Sequence, residues 1–195
     1  MAVDFRHAYF VKSAARLADL PPDAGHEVAF AGRSNAGKSS ALNAITGVKG
    51  LARVSKIPGR TQLLNFFSMT EARYLVDLPG YGYARVPQTV QRRWAQFMQD
   101  YFVTRRALVG LVLIMDIRHP LTEFDARMLA WVFPKNLPVQ VLLSKADKLS
   151  RSAAQARQWQ VAKQLPGQGV QLFSAVTGSG VEEARRVISS WLSSP

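Results

Sequence analysis

The stretch Phe30-Ala31-Gly32-Arg33-Ser34-Asn35-Ala36-Gly37-Lys38-Ser39-Ser40 lies between an apolar run and an amphipathic segment. Its spacing, with Gly32 and Gly37 followed at once by Lys38 and Ser39, is that of a loop that cradles nucleotide phosphates between a strand and a helix. Glycines let backbone N–H groups turn toward phosphate oxygens, and the helix N-terminus adds a favourable dipole. Lys38 would reach the β- and γ-phosphates, and the Ser39 hydroxyl would ligate Mg²⁺. All eight residues from Gly32 to Ser39 are predicted to bind the nucleotide.

The rest of the chain alternates apolar runs with amphipathic segments, which indicates βα units and a largely parallel sheet. The apolar runs lack polar alternation, as expected for strands covered on both faces, and occupy residues 28–31, 74–76, 109–115, 139–143 and 170–173. Helices are predicted over roughly 38–46, 88–106, 121–133, 151–164 and 180–192. Residues 62–68 and 72–77 predict a hairpin. The predicted fold is α/β, a mostly parallel six-stranded sheet with one antiparallel strand and helices on both faces.

Length and composition predict one domain with a sizeable core. The chain has 195 residues, of which 48% are hydrophobic. We expect residues 1–24 to form an arm that packs on the domain, and residues 25–195 to form the domain itself. Residues 48–61 are a long connection without periodicity, and such a connection is usually functional or mobile.

The charge of the chain favours anionic partners. Its formal net charge is +12 at pH 7, and a basic protein attracts polyanions through phosphate neutralisation and counterion release. Because many soluble proteins are basic, charge alone leaves nucleic-acid binding and an ordinary basic surface equally open. Cysteine is absent, which excludes disulfides and thiolate metal sites. With no signal-like N-terminus and no apolar run near the ~20 residues that span a bilayer, we expect a cytoplasmic protein without a membrane partner.

A second motif, Asp77-Leu78-Pro79-Gly80, ends a predicted strand. The Asp77 carboxylate can hold Mg²⁺ through a water molecule, and the Gly80 N–H can bond the γ-phosphate. Because many turns end strands in this way, the motif is weak alone and becomes strong beside the phosphate loop.

The choice of base is predicted to lie with Ser144-Lys145-Ala146-Asp147. The Asp147 carboxylate can accept from the ring N–H and the exocyclic amine of guanine together, whereas adenine presents no such donor pair. The stem of Lys145 can cover a face of the base. The segment Phe173-Ser174-Ala175 would close the pocket, with the Ala175 N–H donating to the guanine carbonyl. The structural alternative is a charged turn between a strand and a helix.

Thr61 lies in the connection between the phosphate loop and Asp77. Its hydroxyl is the candidate that closes on Mg²⁺ when the γ-phosphate is present, and loss of that phosphate would release the loop. The predicted catalytic residues are Lys38, Thr61 and Gly80. The predicted Mg²⁺ ligands are Ser39, Thr61 and, through water, Asp77. The neighbours of Thr61 that are predicted to line the nucleotide are Gly59, Arg60, Gln62 and Leu63.

Four segments together resemble the bacterial EngB (also YihA or YsxC) GTPases, within the TrmE-Era-EngA-EngB-septin-like class of P-loop GTPases. They are residues 30–40, 59–67, 77–84 and 144–148. The resemblance runs from about residue 8 to the C-terminus. It implies a Ras-like domain, GTP and Mg²⁺ binding, a role in assembling the large ribosomal subunit, and an association with normal cell division and septation. Ser144 departs from the Thr or Asn usual in this class, but its hydroxyl leads us to expect that guanine selectivity survives.

Tyr81 follows Gly80, where many Ras-like proteins carry the glutamine that orients the attacking water. A tyrosine ring presents no amide there, so we expect slow intrinsic hydrolysis that a partner or an ion accelerates. In related GTPases the asparagine equivalent to Asn35 helps to hold a monovalent cation beside the phosphates, which makes Asn35 a candidate potassium ligand. The alternative is that Asn35 only braces the loop.

Two basic segments are candidates for a partner surface. Lys49, Arg53, Lys56 and Arg60 lie in the connection 48–61, and Arg92, Arg93, Arg105 and Arg106 flank the helix that follows Gly80. A solvated face is the alternative for these charges. The aromatics of that helix, Trp94, Phe97 and Tyr101, have the spacing of core packing. Core packing or packing between helices is likewise expected for Trp131, Trp159 and Trp191.

Three functions are in competition. The leading one is a monomeric GTP switch that times a step in the assembly of the large ribosomal subunit and contacts its RNA or proteins. The second is a nucleotide-gated protein scaffold at the division site, in which hydrolysis is incidental. An ATP-dependent enzyme is disfavoured by Asp147, whose carboxylate matches guanine.

Overall fold

The computed structural model describes residues 3–52, 63–80 and 88–193. Its strands are β1 (Tyr9–Ala14), β2 (His26–Gly32), β3 (Leu64–Thr70), β4 (Arg73–Asp77), β5 (Leu108–Asp116), β6 (Val139–Ser144) and β7 (Gly169–Leu172). Its α-helices are α1 (Lys38–Thr46), α2 (Gln88–Thr104), α3 (Glu123–Val132), α4 (Arg151–Gln164) and α5 (Val181–Leu192). Short 3₁₀ helices span Phe5–His7, Leu17–Asp19, Phe133–Lys135 and Ala146–Lys148. In the described part of the chain, no helix is both long enough and apolar enough to cross a bilayer.

The strands form one sheet in the order β1-β3-β4-β2-β5-β6-β7. β2 pairs in parallel with β4 and β5, and β6 and β7 continue the parallel pairing. β3 pairs antiparallel with both β1 and β4, so it is the one strand of opposite direction among those described. The predicted α/β fold is confirmed. The sheet has seven strands rather than the six expected, because residues 9–14 of the N-terminal arm add an edge strand.

Alternate residues of the central strands face two separate cores. On β5, Leu111, Leu113 and Met115 belong to the core covered by α2, α3 and α4, whereas Val112 and Ile114 belong to the core covered by α1 and α5. Side chains of successive strand residues point to opposite faces, so both faces of β5 need apolar residues. This double cover explains why the central strands read as unbroken apolar runs.

The N-terminal arm is tied to the domain at two places. β1 pairs with β3, with Ala14 opposite Leu64, and the Phe10 ring packs edge-on against Phe67 at 6.1 Å between centroids. The Asp23 carboxylate then accepts hydrogen bonds from two backbone N–H groups between α2 and β5. The arm therefore contributes to the sheet and also holds the turn that feeds its central strand.

A buried ion pair links the start of β2 to the end of α2. The Arg105 guanidinium donates to both carboxylate oxygens of Glu27, and the Tyr101 hydroxyl donates to Glu27 at 3.0 Å. Glu27 is fully buried, and burial together with the neighbouring Glu27 charge raises the pKa of Tyr101 well above its ordinary value. The assignment of Arg105 to a partner surface is therefore wrong, because its side chain is only 5% exposed.

Three of the four tryptophans pack as expected. Trp131 of α3 lies between Trp94 and Phe102 of α2, with ring centroids 5.9 and 6.2 Å away. Trp191 of α5 packs directly on Gly110 of β5, where a side-chain carbon would lie 2.3 Å from the indole ring. Glycine at this strand position therefore makes room for the ring.

Trp159 of α4 contradicts the prediction of a core position. Its side chain is 66% exposed. The buried residues of α4 are Ala154 and Val161, which form a narrow inner face against the sheet. Trp159 lies outside that face, so helical spacing alone was not sufficient to place it.

Replacing Arg105 by Ala is expected to lower the free energy of unfolding by about 3–5 kcal/mol, because Glu27 would keep a buried charge without its partner. Urea titration followed by circular dichroism measures the change. Arg106→Ala is the matched control, since the Arg106 side chain is 87% exposed and an exposed substitution is expected to stay within about 0.5 kcal/mol. Equal effects of the two substitutions would contradict the anchoring role of Arg105.

Candidate nucleotide-binding site

The loop between β2 and α1 has the backbone shape of a phosphate cradle. Asn35 and Gly37 have positive φ values of 63° and 94°, and Gly37 caps the N-terminus of α1. The Ala36 N–H donates to the Arg33 carbonyl at 2.9 Å, which closes a turn within the loop. A turn of this kind forms a concavity that attracts anions, and the N-terminus of α1 adds the positive end of a helix dipole.

Close packing brings the second motif against this loop. A side-chain carbon at Gly32 would lie 3.0 Å from the Ile114 carbonyl oxygen, so only glycine fits there without a shift. A side-chain carbon at Gly80 would lie 3.8 Å from both the Gly32 carbonyl oxygen and the Ser34 Cα. The Leu78 N–H donates to the β2 backbone at 3.0 Å and keeps the motif in register with that strand. Gly80 thus lies beside the loop that precedes α1.

Lys38 and Asp77 form an ion pair between the start of α1 and the end of β4. Their side chains are only 11% and 10% exposed, so the two charges are largely removed from water. Ser39 is half-buried in the first turn of α1. A serine hydroxyl and a carboxylate are hard oxygen ligands of the kind that Mg²⁺ prefers. The donor set at this position therefore fits Mg²⁺.

The segment after β6 is tied to the phosphate loop by two side chains. Ser144 Oγ donates to the Ala36 carbonyl at 2.5 Å and lies 3.1 Å from the Met115 carbonyl oxygen. Lys145 Nζ donates to the Asn35 carbonyl at 2.6 Å. Lys145 itself has a φ of 58°, which begins the tight 3₁₀ turn that follows. The loop and the base segment therefore form one connected unit.

Asp116, the last residue of β5, was not predicted as part of this unit. Its carboxylate accepts from Arg118 at 2.7 Å and pairs with Lys145 Nζ at 2.9 Å. The bond from Arg118 is the main cause, and that from Lys145 a further one, of a pKa of Asp116 that lies well below its usual range. Its position was a usable signal, because ligands of open α/β sheets bind beyond the carboxyl ends of the parallel strands. Asp116 orients the ammonium that reaches the phosphate loop.

The two base-side segments meet after β6 and β7. Ser174 Oγ donates to Asp147 Oδ1 at 2.7 Å, and the Ala146 N–H donates to the Phe173 carbonyl at 3.1 Å. The bond from Ser174, with the nearby Lys148 ammonium, lowers the pKa of Asp147. Asp147 is therefore an ionised acceptor whose orientation is fixed by its neighbour.

A cavity of about 150 Å³ opens between the phosphate loop and the start of α3. Asp125 lines it and is buried, and Asp125 Oδ2 accepts from the Thr122 N–H at 2.8 Å and the Thr122 hydroxyl at 2.9 Å. Burial raises the pKa of Asp125, and its other oxygen has no hydrogen-bond partner among the described residues. This capping box fixes the start of α3 and with it one wall of the cavity.

Part of the predicted site falls beyond the described residues. Gly59, Arg60, Thr61 and Gln62 of the connection, and Tyr81 after the second motif, lie outside the described ranges. Leu63 is half-buried just before β3, Pro79 is buried beside the loop, and Ala175 is exposed after β7.

Four features together define a P-loop GTPase: a largely parallel sheet, a phosphate loop after β2, an aspartate at the end of β4 and an aspartate-bearing turn after β6. Residues 27–145 match the family described as 50S ribosome-binding GTPase. The probable GTP-binding protein EngB of Coxiella burnetii (strain CbuK_Q154) is 51% identical over 194 residues, which cover 97% of this chain and 95% of that protein. The chain therefore belongs to the EngB family of GTP-binding proteins and is a GTPase that binds GTP and GDP.

Two solved structures share the fold. The crystal structure of a probable GTP-binding protein EngB has a TM-score of 0.66 at 23% identity. The matched region covers 85% of this chain and 98% of the chain in that structure. Era in complex with MgGDPNP and nucleotides 1506–1542 of 16S ribosomal RNA has a TM-score of 0.67 at 20% identity. The matched region covers 87% of this chain and 57% of the Era chain.

Ser144→Ala is expected to weaken GDP binding roughly 5- to 10-fold, because the Ala36 carbonyl would lose its donor at a cost of about 1 kcal/mol or more. Isothermal titration calorimetry measures the dissociation constant. Ser144→Thr is the matched control, since it keeps the hydroxyl. Equal affinities of the two variants would exclude a role for this hydrogen bond in holding the site together.

Proposed function

We propose that this GTPase is a switch that acts in the cytoplasm on the assembly of the large ribosomal subunit, and that normal cell division and septation depend on that step. The observation that carries the proposal is the tie between the base segment and the phosphate loop through Ser144 and Lys145. This tie joins the two proposed halves of a guanine nucleotide site, and it occurs in a chain whose family is described as 50S ribosome-binding GTPase. The net charge of +12 and the 16S ribosomal RNA bound by Era, which shares the fold, support an RNA partner.

The phosphates are proposed to bind at the loop of residues 33–37 and at Lys38. The Lys38 ammonium would exchange Asp77 for phosphate oxygens, which frees the Asp77 carboxylate to hold Mg²⁺ through water beside the Ser39 hydroxyl. When bound, Mg²⁺ supplies positive charge that offsets the charge developing on the phosphates during transfer. The Gly80 N–H would donate to the γ-phosphate, so the end of β4 senses whether that phosphate is present.

The base is proposed to bind between the turns that follow β6 and β7. Asp147 would accept from the two N–H donors of guanine, and its orientation by Ser174 at 2.7 Å reduces the entropy lost on binding. Lys145 and the buried Phe173 frame the pocket, and the Ala175 N–H would donate to the guanine carbonyl.

Nucleotide state is proposed to reach the partner through the connection that contains Thr61. With GTP bound, the Thr61 hydroxyl would close on Mg²⁺, and its neighbours Gly59, Arg60, Gln62 and Leu63 would line the nucleotide. Lys49 at the start of this connection is exposed, as are Arg92 and Arg93 of α2. A ribosomal particle would therefore be bound in a salt-sensitive manner, more tightly with GTP than with GDP.

Hydrolysis is proposed to be slow without a partner, since Tyr81 presents no amide to the attacking water. Asn35 is the proposed ligand of a potassium ion that would offset charge on the phosphates. Its φ of 63° holds it in the left-handed region at the exposed edge of the loop.

GTP turnover is expected to be about tenfold or more faster in KCl than in NaCl, a difference of about 1.4 kcal/mol in the barrier. Release of phosphate, measured at equal ionic strength, gives the two rates. Asn35→Ala is expected to remove the stimulation by potassium. Equal rates in the two salts would sink the potassium proposal.

Depletion of the protein is expected to accumulate a precursor of the large ribosomal subunit, because assembly would wait for the switch. Sucrose-gradient profiles of ribosomal particles measure it. The intact chain should restore the profile, whereas Lys38→Ala should not, since it lacks the cation that holds the phosphates.

A normal particle profile after depletion would contradict the ribosomal role. If the chain then co-purified with division proteins, the scaffold at the division site would become the better interpretation. Activity of Lys38→Ala in restoring the profile would show that the nucleotide cycle is not required.

A further inference from the structure

Trp159 is the most exposed of the four tryptophans. It lies on α4 with 66% of its surface open to solvent, whereas Trp94 is buried and Trp131 and Trp191 are half-buried. A large aromatic ring in water forgoes the stabilisation that burial gives the other three. Its role in stability is therefore small, and its ring is available for contact with another molecule.

The ring is held outward by the seating of α4 on the sheet. Ala154 and Val161 are the buried residues of α4, and Gln158 Nε2 donates to the Val170 carbonyl of β7 at 2.8 Å. One turn beyond Trp159, Lys163 Nζ lies 5.3 Å from the centroid of the indole ring. The helix thus presents an aromatic face and a cation together.

The charge of this region suits a polyanion. Residues 148–181 contain no Asp or Glu, and their four cations are Lys148, Arg151, Arg157 and Lys163. Lys148 pairs with Asp147 of the base segment, whereas Arg151 and Lys163 are exposed on α4 itself. No acidic side chain along this stretch opposes an approaching phosphate.

The position of α4 separates it from the phosphate-sensing elements. α4 follows β6 and is bonded to β7, the last strand of the sheet on that side. β3 and β4, which border the connection with Thr61 and the motif with Gly80, lie on the other side of β2. A ligand on α4 would therefore not touch the elements that respond to the γ-phosphate.

We propose that Trp159, Lys163 and Arg151 form a platform on α4 that binds single-stranded RNA. An unpaired base stacks on the indole ring, and the flanking phosphates are neutralised by the two cations. The platform binds equally in the GTP and GDP states. The choice of RNA as the polyanion rests on the proposed ribosomal function, and the platform adds a second contact that does not depend on nucleotide.

Fluorescence anisotropy of a labelled single-stranded RNA of about ten nucleotides tests the platform on the full chain, since such a length suits one stacking site. Trp159→Ala is expected to weaken binding at least about fivefold, whereas Trp159→Phe keeps an aromatic face and stays within about threefold of the intact chain. Lys163→Gln should reduce the dependence of the dissociation constant on salt. Binding should quench tryptophan emission in the intact chain.

Gln160→Ala is the matched control, because Gln160 is exposed next to Trp159 and carries no ring. Thermal unfolding checks that each variant is folded. RNA binding by Trp159→Ala as tight as that of the intact chain would overturn the proposal and leave the surface to a protein partner. Heparin is a polyanion without bases. If Trp159→Ala lost as much affinity for heparin as for RNA, base stacking on the ring would be excluded and the proposal would also be overturned. A dissociation constant that differs between GDP and a GTP analogue would refute independence from nucleotide.

The outcome is separable from that of the ribosomal role. If depletion leaves the particle profile normal, the ribosomal role fails while RNA binding at Trp159 is still measured on the purified chain. If Trp159→Ala binds RNA as the intact chain does, the platform fails while the accumulation of a precursor on depletion still stands.

Discussion

The candidate nucleotide site depends on one contact, the hydrogen bond from Ser144 to the Ala36 carbonyl. A trans peptide is planar, so its N–H points away from its carbonyl. Holding the Ala36 carbonyl on the side of β6 therefore directs the Gly37 N–H to the opposite side, which is the direction that the proposed phosphate site requires. Lys145 holds the Asn35 carbonyl, and Asp116 holds the Lys145 ammonium in place. The N–H of that peptide, which belongs to Ala36, donates to the Arg33 carbonyl and closes the turn of the loop. The residues that are proposed to select the base thus also shape the loop that is proposed to bind the phosphates.

The opposite ends of β2 are constrained by different means. At its start, Glu27 is locked to Arg105 and Tyr101, which fixes the end of α2. At its finish, Gly32 packs so closely on the Ile114 carbonyl that a larger residue would force a shift. Because the C-terminal end of α2 is anchored in this way, we expect any movement of its N-terminal end to pivot about Arg105 rather than to slide the helix. A pivot of this kind gives the largest displacement at the N-terminal end of α2 and the smallest at Arg105.

Local patterns were sufficient to predict most of the fold, and they select the segments that the structure places next to one another at the candidate site. Residue types and their spacing are enough to identify two segments, the run from Phe30 to Ser40 and the turn at Ser144. The structure brings these two segments into contact. Asp116 was missed because no motif surrounds it in the sequence. Its link to Lys145 becomes visible only when β5 and β6 are paired, which places Asp116 opposite Ser144. Arg105 and Trp159 were placed wrongly for a related reason. Helical spacing gives the side of a helix but not which side faces the sheet, and burial of Arg105 required a partner far away at Glu27.

The N-terminal strand has a consequence for the order of folding. Residues 9–14 are synthesised before their pairing partner β3, which follows only after β2, α1 and the long connection have been made. Until then, the side chains of Tyr9, Phe10 and Val11 have no strand beside them, and pairs so distant in sequence form slowly. The edge strand β1 is therefore without its partner until β3 has been made, whereas the pairing of β2 with β5 waits longer still, because β5 begins only at Leu108.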